Sequence, residues 1–322
     1  MPFESPPFRP PSEAYSLLIR VTRNCPWNRC EFCAMYKAER FQLRDVEEIK
    51  RDIDFLREVY DQAKEMAWLK GYGGDVRYIG SALGIPWLLQ GEVKNVFIGD
   101  SDSLVMKPHL LIEIIRYIKE KFPSVERITS YARSRTILNK KFEDLKEIRK
   151  AGLTRLHVGL ESGDDFILNY VKKGVSSSEA VEAGLKAKEA GFELSEYVIS
   201  GLGGEKRWME HALHTADALN RINPHFIRIR TLVVLPFTPL YEKMESGDFV
   251  EASPETVMKE LRLFIENLNV NSEFLTDHVS NYIDLNGRLP EEKEKLLKKI
   301  DEILNLPPEM KERVFRRTVV HL

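Results

Sequence analysis

The sequence predicts an α/β fold built on a parallel sheet and followed by a mainly helical C-terminal extension. Between residues 96 and 235, short apolar runs rich in β-branched residues alternate with stretches at helical spacing. That order yields parallel strands joined by right-handed crossovers. Gly and Pro punctuate the units: Gly152 and Gly191 stop helices, Pro108 opens one, and Pro236 ends the last strand. Beyond Tyr241 the alternation gives way to amphipathic and Lys/Glu-rich helical stretches. No Gly/Ser linker precedes them, so they read as packed on the sheet rather than as a free domain. The alternation alone suits an open barrel and a doubly wound sheet equally.

Taken in order, residues 1–11 carry five prolines and predict an extended arm, placed at 1–14. Residues 15–22 form the first strand. Over residues 45–69, Val46, Ile49, Ile53, Leu56 and Val59 recur at helical spacing behind Asp45 as N-cap. Residues 71–91, rich in Gly, predict an irregular excursion. Strands follow at 96–98, 127–131, 154–160, 193–199 and 226–235, with helices at 108–121, 140–150, 176–190 and 204–222. That makes six strands in six βα units over residues 15–240. The extension, 241–322, reads as a helix at 254–268, a polar, aromatic-containing segment at 269–289 and a helix at 290–304.

Composition excludes several classes. The 322 residues are 43% hydrophobic and 30% charged, which is globular rather than disordered. A net charge of −2 argues against a protein that wraps nucleic acid with its whole surface. No apolar run approaches a membrane span, and the first residues lack the apolar region of a signal peptide. Free cysteines then indicate a reducing compartment, and the expected location is the cytoplasm.

The chemistry centres on Cys25-Pro-Trp-Asn-Arg-Cys30-Glu-Phe-Cys33, directly after the first strand and holding all three cysteines of the sequence. Structural zinc sites and ordinary iron–sulfur clusters take four protein ligands, so three thiolates leave one metal position open. A structural zinc completed by a distant His is the alternative, and would make the protein a non-enzymatic scaffold. A disulfide framework does not fit a chain this long with an odd cysteine count.

This loop resembles the cluster-binding loop of the radical S-adenosylmethionine (SAM) enzymes. Four residues separate the first two cysteines, where three are commonest in that family. The resemblance implies a partial (β/α)6 TIM-like barrel and a [4Fe–4S] cluster on Cys25, Cys30 and Cys33. It further implies SAM on the fourth iron, cleaved reductively to a 5′-deoxyadenosyl radical that abstracts hydrogen from substrate. Phe32 matches the family's aromatic position beside the adenine.

Strand ends are where such folds collect function. Gly99-Asp100-Ser101-Asp102 resembles the family's Gly-Gly-Glu segment, which receives the SAM amino group. Ser130 and Arg133 end the third strand, and Glu161 and Ser162 belong to a Leu-Glu-Ser-Gly stretch at the fourth. Ile199 sits in a segment like the family's Gly-x-Ile-x-Gly-x-x-Glu element, and Arg230 and Leu235 close the sixth strand. All of these are assigned to the cofactor. Tyr131, Asp277, His278 and Tyr282 are the candidates for substrate contact.

The motifs place the chain nearest the branch of the oxygen-independent coproporphyrinogen oxidases and the Elongator-type enzymes. The expected reaction is of oxidoreductase or lyase type on an unidentified small molecule, with a flavodoxin- or ferredoxin-type electron donor. An RNA-modifying radical SAM enzyme is the rival within the family.

Overall fold

The computed structural model describes residues 3–37 and 40–316. In chain order it contains β1 (Leu17–Arg20), β2 (Thr22–Arg23), β3 (Gln42–Leu43), α1 (Val46–Leu69), α2 (Val76–Leu83), β4 (Asn95–Gly99), α3 (Pro108–Lys121), β5 (Arg127–Ala132), α4 (Ser134–Asn139) and α5 (Phe142–Ala151). It continues with β6 (Leu153–Glu161), α6 (Asp165–Tyr170), α7 (Ser177–Glu189), β7 (Glu193–Ser200), α8 (Gly204–Ile222), β8 (Phe226–Thr231) and α9 (Pro239–Glu245). The last elements are α10 (Pro254–Asn267), β9 (Ser272–Leu275), β10 (Gly287–Leu289), α11 (Lys293–Leu304) and α12 (Pro308–Val314).

Eight strands form one sheet in the order β1-β4-β5-β6-β7-β8-β9-β10, while β2 and β3 make a separate antiparallel ribbon. The order never reverses, so the sheet has no switch point and is not doubly wound. This decides between the two topologies that alternation left open: the α/β fold is the partial (β/α)6 barrel type. No helix among the described residues is long and apolar enough to cross a membrane.

The chain divides into two compact units. One comprises Met1–Pro26, Ala38–His157 and Ala190–Phe192; the other comprises Trp27–Lys37, Val158–Glu189 and Glu193–Leu322. In the first, β1 pairs with β4 in parallel, Leu17 opposite Val96. Helix α1 starts where Asp45 accepts a hydrogen bond from the Glu47 amide. It buries Ile49, Ile53 and Leu56 at one-turn spacing, each contributing about 1.5–3 kcal/mol by leaving water. In the second unit β7 and β8 pair in parallel with Tyr197 opposite Arg228 and Ile199 opposite Arg230, which sets those four side chains on one sheet face.

Three expectations change. Residues 71–91 are not irregular: α2 runs through them, capped by the Asp75 side chain and stopped at left-handed Gly84, and a 3₁₀ turn spans Pro86–Gln90. Residues 269–289 are not only a polar segment. They add β9 parallel to β8 and then β10 antiparallel to β9, driven by buried Ser272 and Phe274 alternating with half-buried Glu273 and Leu275. The sixth strand stops at Thr231, where the Ser280 hydroxyl accepts from the Thr231 amide.

Candidate functional site

In the first unit, the root of the cysteine loop is tied to the end of β4. Asp100 is fully buried, and its Oδ2 accepts from Arg20 Nε at 3.0 Å, Arg20 Nη2 at 2.6 Å and the Asn24 amide at 2.9 Å. Ser101 Oγ donates to the Asn24 carbonyl at 3.0 Å. Asn24 is left-handed, with φ of 70°, a conformation that Asn tolerates better than most residues. Asp100 and Ser101 thus hold the residue before Cys25. Burial pushes the Asp100 carboxyl up, against the pull of the Asn24 amide and Arg20. Asp100 Oδ1 is buried without a hydrogen bond, an acceptor of the kind an ammonium group takes.

The neighbouring residues are placed differently. A Cβ on Gly99 would stand 2.6 Å from Pro6 Cβ, so the absent side chain makes room for the N-terminal segment. Asp102 is fully buried, accepts from Thr136 Oγ1 at 2.5 Å, and is pushed up to about 6 by burial. Ser130 Oγ donates to the Tyr131 carbonyl at 2.9 Å. The Tyr131 ring meets Phe97 edge-on at 5.2 Å and lies 5.8 Å from the His157 ring. Arg133 is half-buried at the start of α4.

In the second unit, the segment carrying Cys30 and Cys33 is clamped from both sides. Glu31 is buried and pairs with Lys172 at 2.6 Å and Lys243 at 2.5 Å. Burial works to raise its carboxyl, and the two lysines outweigh that and hold it below the usual range. Its amide donates to the Val171 carbonyl and its carbonyl accepts from the Leu240 amide. Trp27 Nε1 donates to the Lys172 carbonyl at 2.8 Å, and the ring fills the space where a Gly174 side chain would sit. Lys37 Nζ donates to the carbonyls of Asn28 and Cys30. Phe32 and Ile199 are brought together, both packed on an apolar cluster of Ile167, Val171, Leu202, Leu232, Leu240 and Phe249.

Glu161 ends β6 in a left-handed conformation, φ 64°, with Lys173 Nζ 2.8 Å from its Oε1. Lys173 was not foreseen, because nothing local in the sequence links it to Glu161. Ser162 Oγ accepts from the Asp164 amide at 3.0 Å. Glu196, fully buried on β7, is raised well above the ordinary carboxylate value by burial. Arg230 lies over the Tyr197 ring at 5.0 Å, and Leu235 is half-buried.

Asp277 pairs with Arg228 at 2.9 Å. His278 Nδ1 accepts from the Ser280 amide at 3.2 Å, so its proton sits on Nε2. Asn281 Nδ2 donates to the Ile229 carbonyl, which lays this segment along the end of β8. The Tyr282 ring stands edge-on to Phe315 at 5.6 Å.

Burial, then the charge of Arg230, lowers the His278 pKa to about 4. A histidine depressed in the folded state contributes stability above its unfolded pKa and loses it as the pH falls. Acidification from about 6.5 to 4 should therefore destabilise the protein through this residue. Because the group is half-buried, the discounted effect is on the order of 1–2 kcal/mol. His278→Gln should flatten the melting-temperature profile across that window; an unchanged slope would remove His278 from the account.

As donors for a metal centre, Cys25, Cys30 and Cys33 are half-buried thiols in no disulfide. Among the described residues no group of three His, Cys, Asp or Glu side chains is gathered in metal-holding geometry. Three thiols suit a thiolate-bound cluster, and in the first unit the buried Asp100 Oδ1 suits an amino group.

Residues 85–216 match the family model described as the Radical SAM superfamily. Over that span the chain is similar to the radical SAM enzymes. Members of that superfamily are enzymes that use a [4Fe–4S] cluster and SAM, and they require a reductant and a substrate. The matched span begins beyond the cysteine loop.

The chain is 25% identical to the heme chaperone HemW of Bacillus subtilis over 160 residues, covering 49% of this chain and 41% of that protein. It is 26% identical to the tRNA uridine(34) acetyltransferase of Methanocaldococcus infernus over 108 residues, covering 33% of this chain and 20% of the relative. The chain thus spans less than half the length of either. Its fold is similar to that of the radical S-adenosylmethionine methyltransferase TsrM from Kitasatospora setae, solved with tryptophan and a SAM analogue. The TM-score is 0.51 at 18% identity, over 75% of this chain and 41% of that one.

Proposed function

We propose that this chain is a radical SAM enzyme that cleaves SAM, with Cys25, Cys30 and Cys33 holding a [4Fe–4S] cluster that has one iron open to SAM. The observation that carries the reading is the loop itself. Its three thiols are in no disulfide; in the first unit Asp100 and Ser101 hold the residue before Cys25, and in the second Glu31 holds the stretch with Cys30 and Cys33. Each of the two stretches is thereby held within its own unit.

Each group has a task in this reading. Asp100 Oδ1 accepts the amino group of SAM, while Oδ2 keeps Asn24 in place. Phe32 and Ile199 offer an apolar surface to the adenine. Glu161, Ser162, Arg230, Ser101, Asp102, Ser130 and Arg133 are assigned to the remaining polar parts, and Gly99 and Leu235 to the cofactor's surroundings. Tyr131, Asp277, His278 and Tyr282 remain the proposed substrate contacts. Cys25, Cys30 and Cys33 would hold the cluster, which when bound would supply the electron for reductive cleavage of SAM. The protein's part is to orient the reacting groups and exclude water.

We further propose a cytoplasmic enzyme with a flavodoxin- or ferredoxin-type donor, a small-molecule substrate, and an arm, barrel and extension at 1–14, 15–240 and 241–322. The absence of other cysteines from the sequence disfavours sulfur insertion from an auxiliary cluster. The net charge of −2 weighs against RNA as substrate.

Anaerobic reconstitution with iron and sulfide tests the assignment. Reduction should give a cluster spectrum in electron paramagnetic resonance that changes when SAM is added. A cluster spectrum indifferent to SAM would show that no iron is open to it.

A further inference from the structure

His211 and Glu260, far apart in sequence, form a buried pair. His211 lies on α8 and Glu260 on α10, with 1% and 2% of their surface exposed. His211 Nδ1 stands 3.1 Å from Glu260 Oε1, an ion-pair contact off the hydrogen-bond line. Its Nε2 is 3.3 Å from the carbonyl oxygen of Glu161. The Glu260 carboxylate also accepts from the Gly201 amide, at 2.9 Å to Oε1 and 3.2 Å to Oε2.

The pair therefore reaches the last residue of β6 and the first residue after β7 at once. Both of those residues are left-handed, with φ of 64° at Glu161 and 83° at Gly201. A left-handed backbone is cheap at Gly and costly at Glu, so the Glu161 corner needs outside support. Oxygen acceptors beside both ring nitrogens favour the doubly protonated imidazole. Burial pulls the His211 pKa down, and Glu260, aided by the Glu161 carbonyl, outweighs it and leaves the pKa above its ordinary value.

We infer that His211 and Glu260 are a positioning pair through which α10 sets the backbone corners at Glu161 and Gly201. This rests on the proposed function, in which those two strand ends receive SAM. Neither residue touches the cofactor. They act by fixing Glu161, which is assigned to it, and the turn that follows Ile199. The segment after the sixth βα unit is thereby a working part of the site.

Glu260→Gln and His211→Asn test this, with Leu297→Ala on α11 as a variant that loosens the same segment at a site away from the pair. Neutralising the charged acceptor of the Gly201 amide, or removing the imidazolium that holds it, costs roughly a factor of ten. In Glu260→Gln and His211→Asn the Gly201 amide should exchange with deuterium roughly tenfold faster. The KM for SAM should rise by a similar factor at unchanged iron content, with kcat at saturating SAM altered less. Leu297→Ala should lower the melting temperature without moving KM.

Unchanged Gly201 exchange in both pair variants would overturn the positioning role, and so would a KM shift matched by Leu297→Ala. A wild-type protein that binds no SAM would instead sink the proposed function. The exchange measurement would still judge the pair.

Discussion

Cys30→Ala yields a folded protein that cannot hold a stable iron–sulfur cluster. The expected loss is near total, because three thiolates are the minimum that leaves one iron open, and two do not retain the cluster. The fold should survive, since Cys30 is only half-buried. Its segment is also held by other groups: Glu31 through Lys172 and Lys243, and Trp27 through the Lys172 carbonyl. Iron content and visible absorbance after reconstitution read the effect, and circular dichroism confirms the fold. Cys25→Ala and Cys33→Ala should behave alike. A Cys30→Ala protein that keeps its iron and colour would place the cluster elsewhere. A colourless wild type that takes up zinc and unfolds on chelation would favour the structural zinc site instead.

Gly163→Ala should be among the most destabilising single methyl additions in the chain. An added Cβ would stand 2.2 Å from the His214 carbonyl oxygen, 2.6 Å from its carbon and 2.7 Å from Thr215 Cα. All three are backbone atoms of α8, which cannot rotate aside as a flexible side chain would. The Gly163 amide also donates to Thr215 Oγ1 at 2.9 Å, so the segment cannot retreat without breaking that bond. Overpacking of this severity costs about 3 kcal/mol or more. At about 2–4 °C per kcal/mol, the melting temperature should fall by roughly 6–12 °C. Gly247→Ala is the comparison: its φ is 81° but nothing lies within 4 Å, so only the left-handed penalty of about 1 kcal/mol remains. A Gly163→Ala protein melting no lower than Gly247→Ala would show that α8 does not approach this closely.

The fold was readable wherever a segment carried its own boundary signals. Pro108 and the amphipathic spacing behind it define α3 over Pro108–Lys121, and α8 spans Gly204–Ile222 as its pattern predicts. Helix α2 was hidden because its eight residues lie among glycines and aromatics; Asp75 and Gly84 were its only local markers. Strand β9 has four residues and borrows its stability from β8, which no local pattern reports.

The site shows the same divide. Candidate positions follow from where strands end, but their partners are distant in sequence. Asp100 is satisfied by Arg20 and Asn24, Gly99 is covered by Pro6, and Glu161 meets Lys173. Residue type suggested an acid for the cofactor; only the assembled backbone shows that one oxygen of Asp100 is already spent on the loop that carries Cys25.

The most direct measurement is product analysis. The anaerobically reconstituted protein would be reduced with dithionite in the presence of SAM, and 5′-deoxyadenosine followed by mass. The account predicts that deoxyadenosine accumulates in the wild type and is absent in Cys30→Ala. A fully iron-loaded wild type that binds SAM, accepts the electron and releases no deoxyadenosine with any candidate substrate would contradict it.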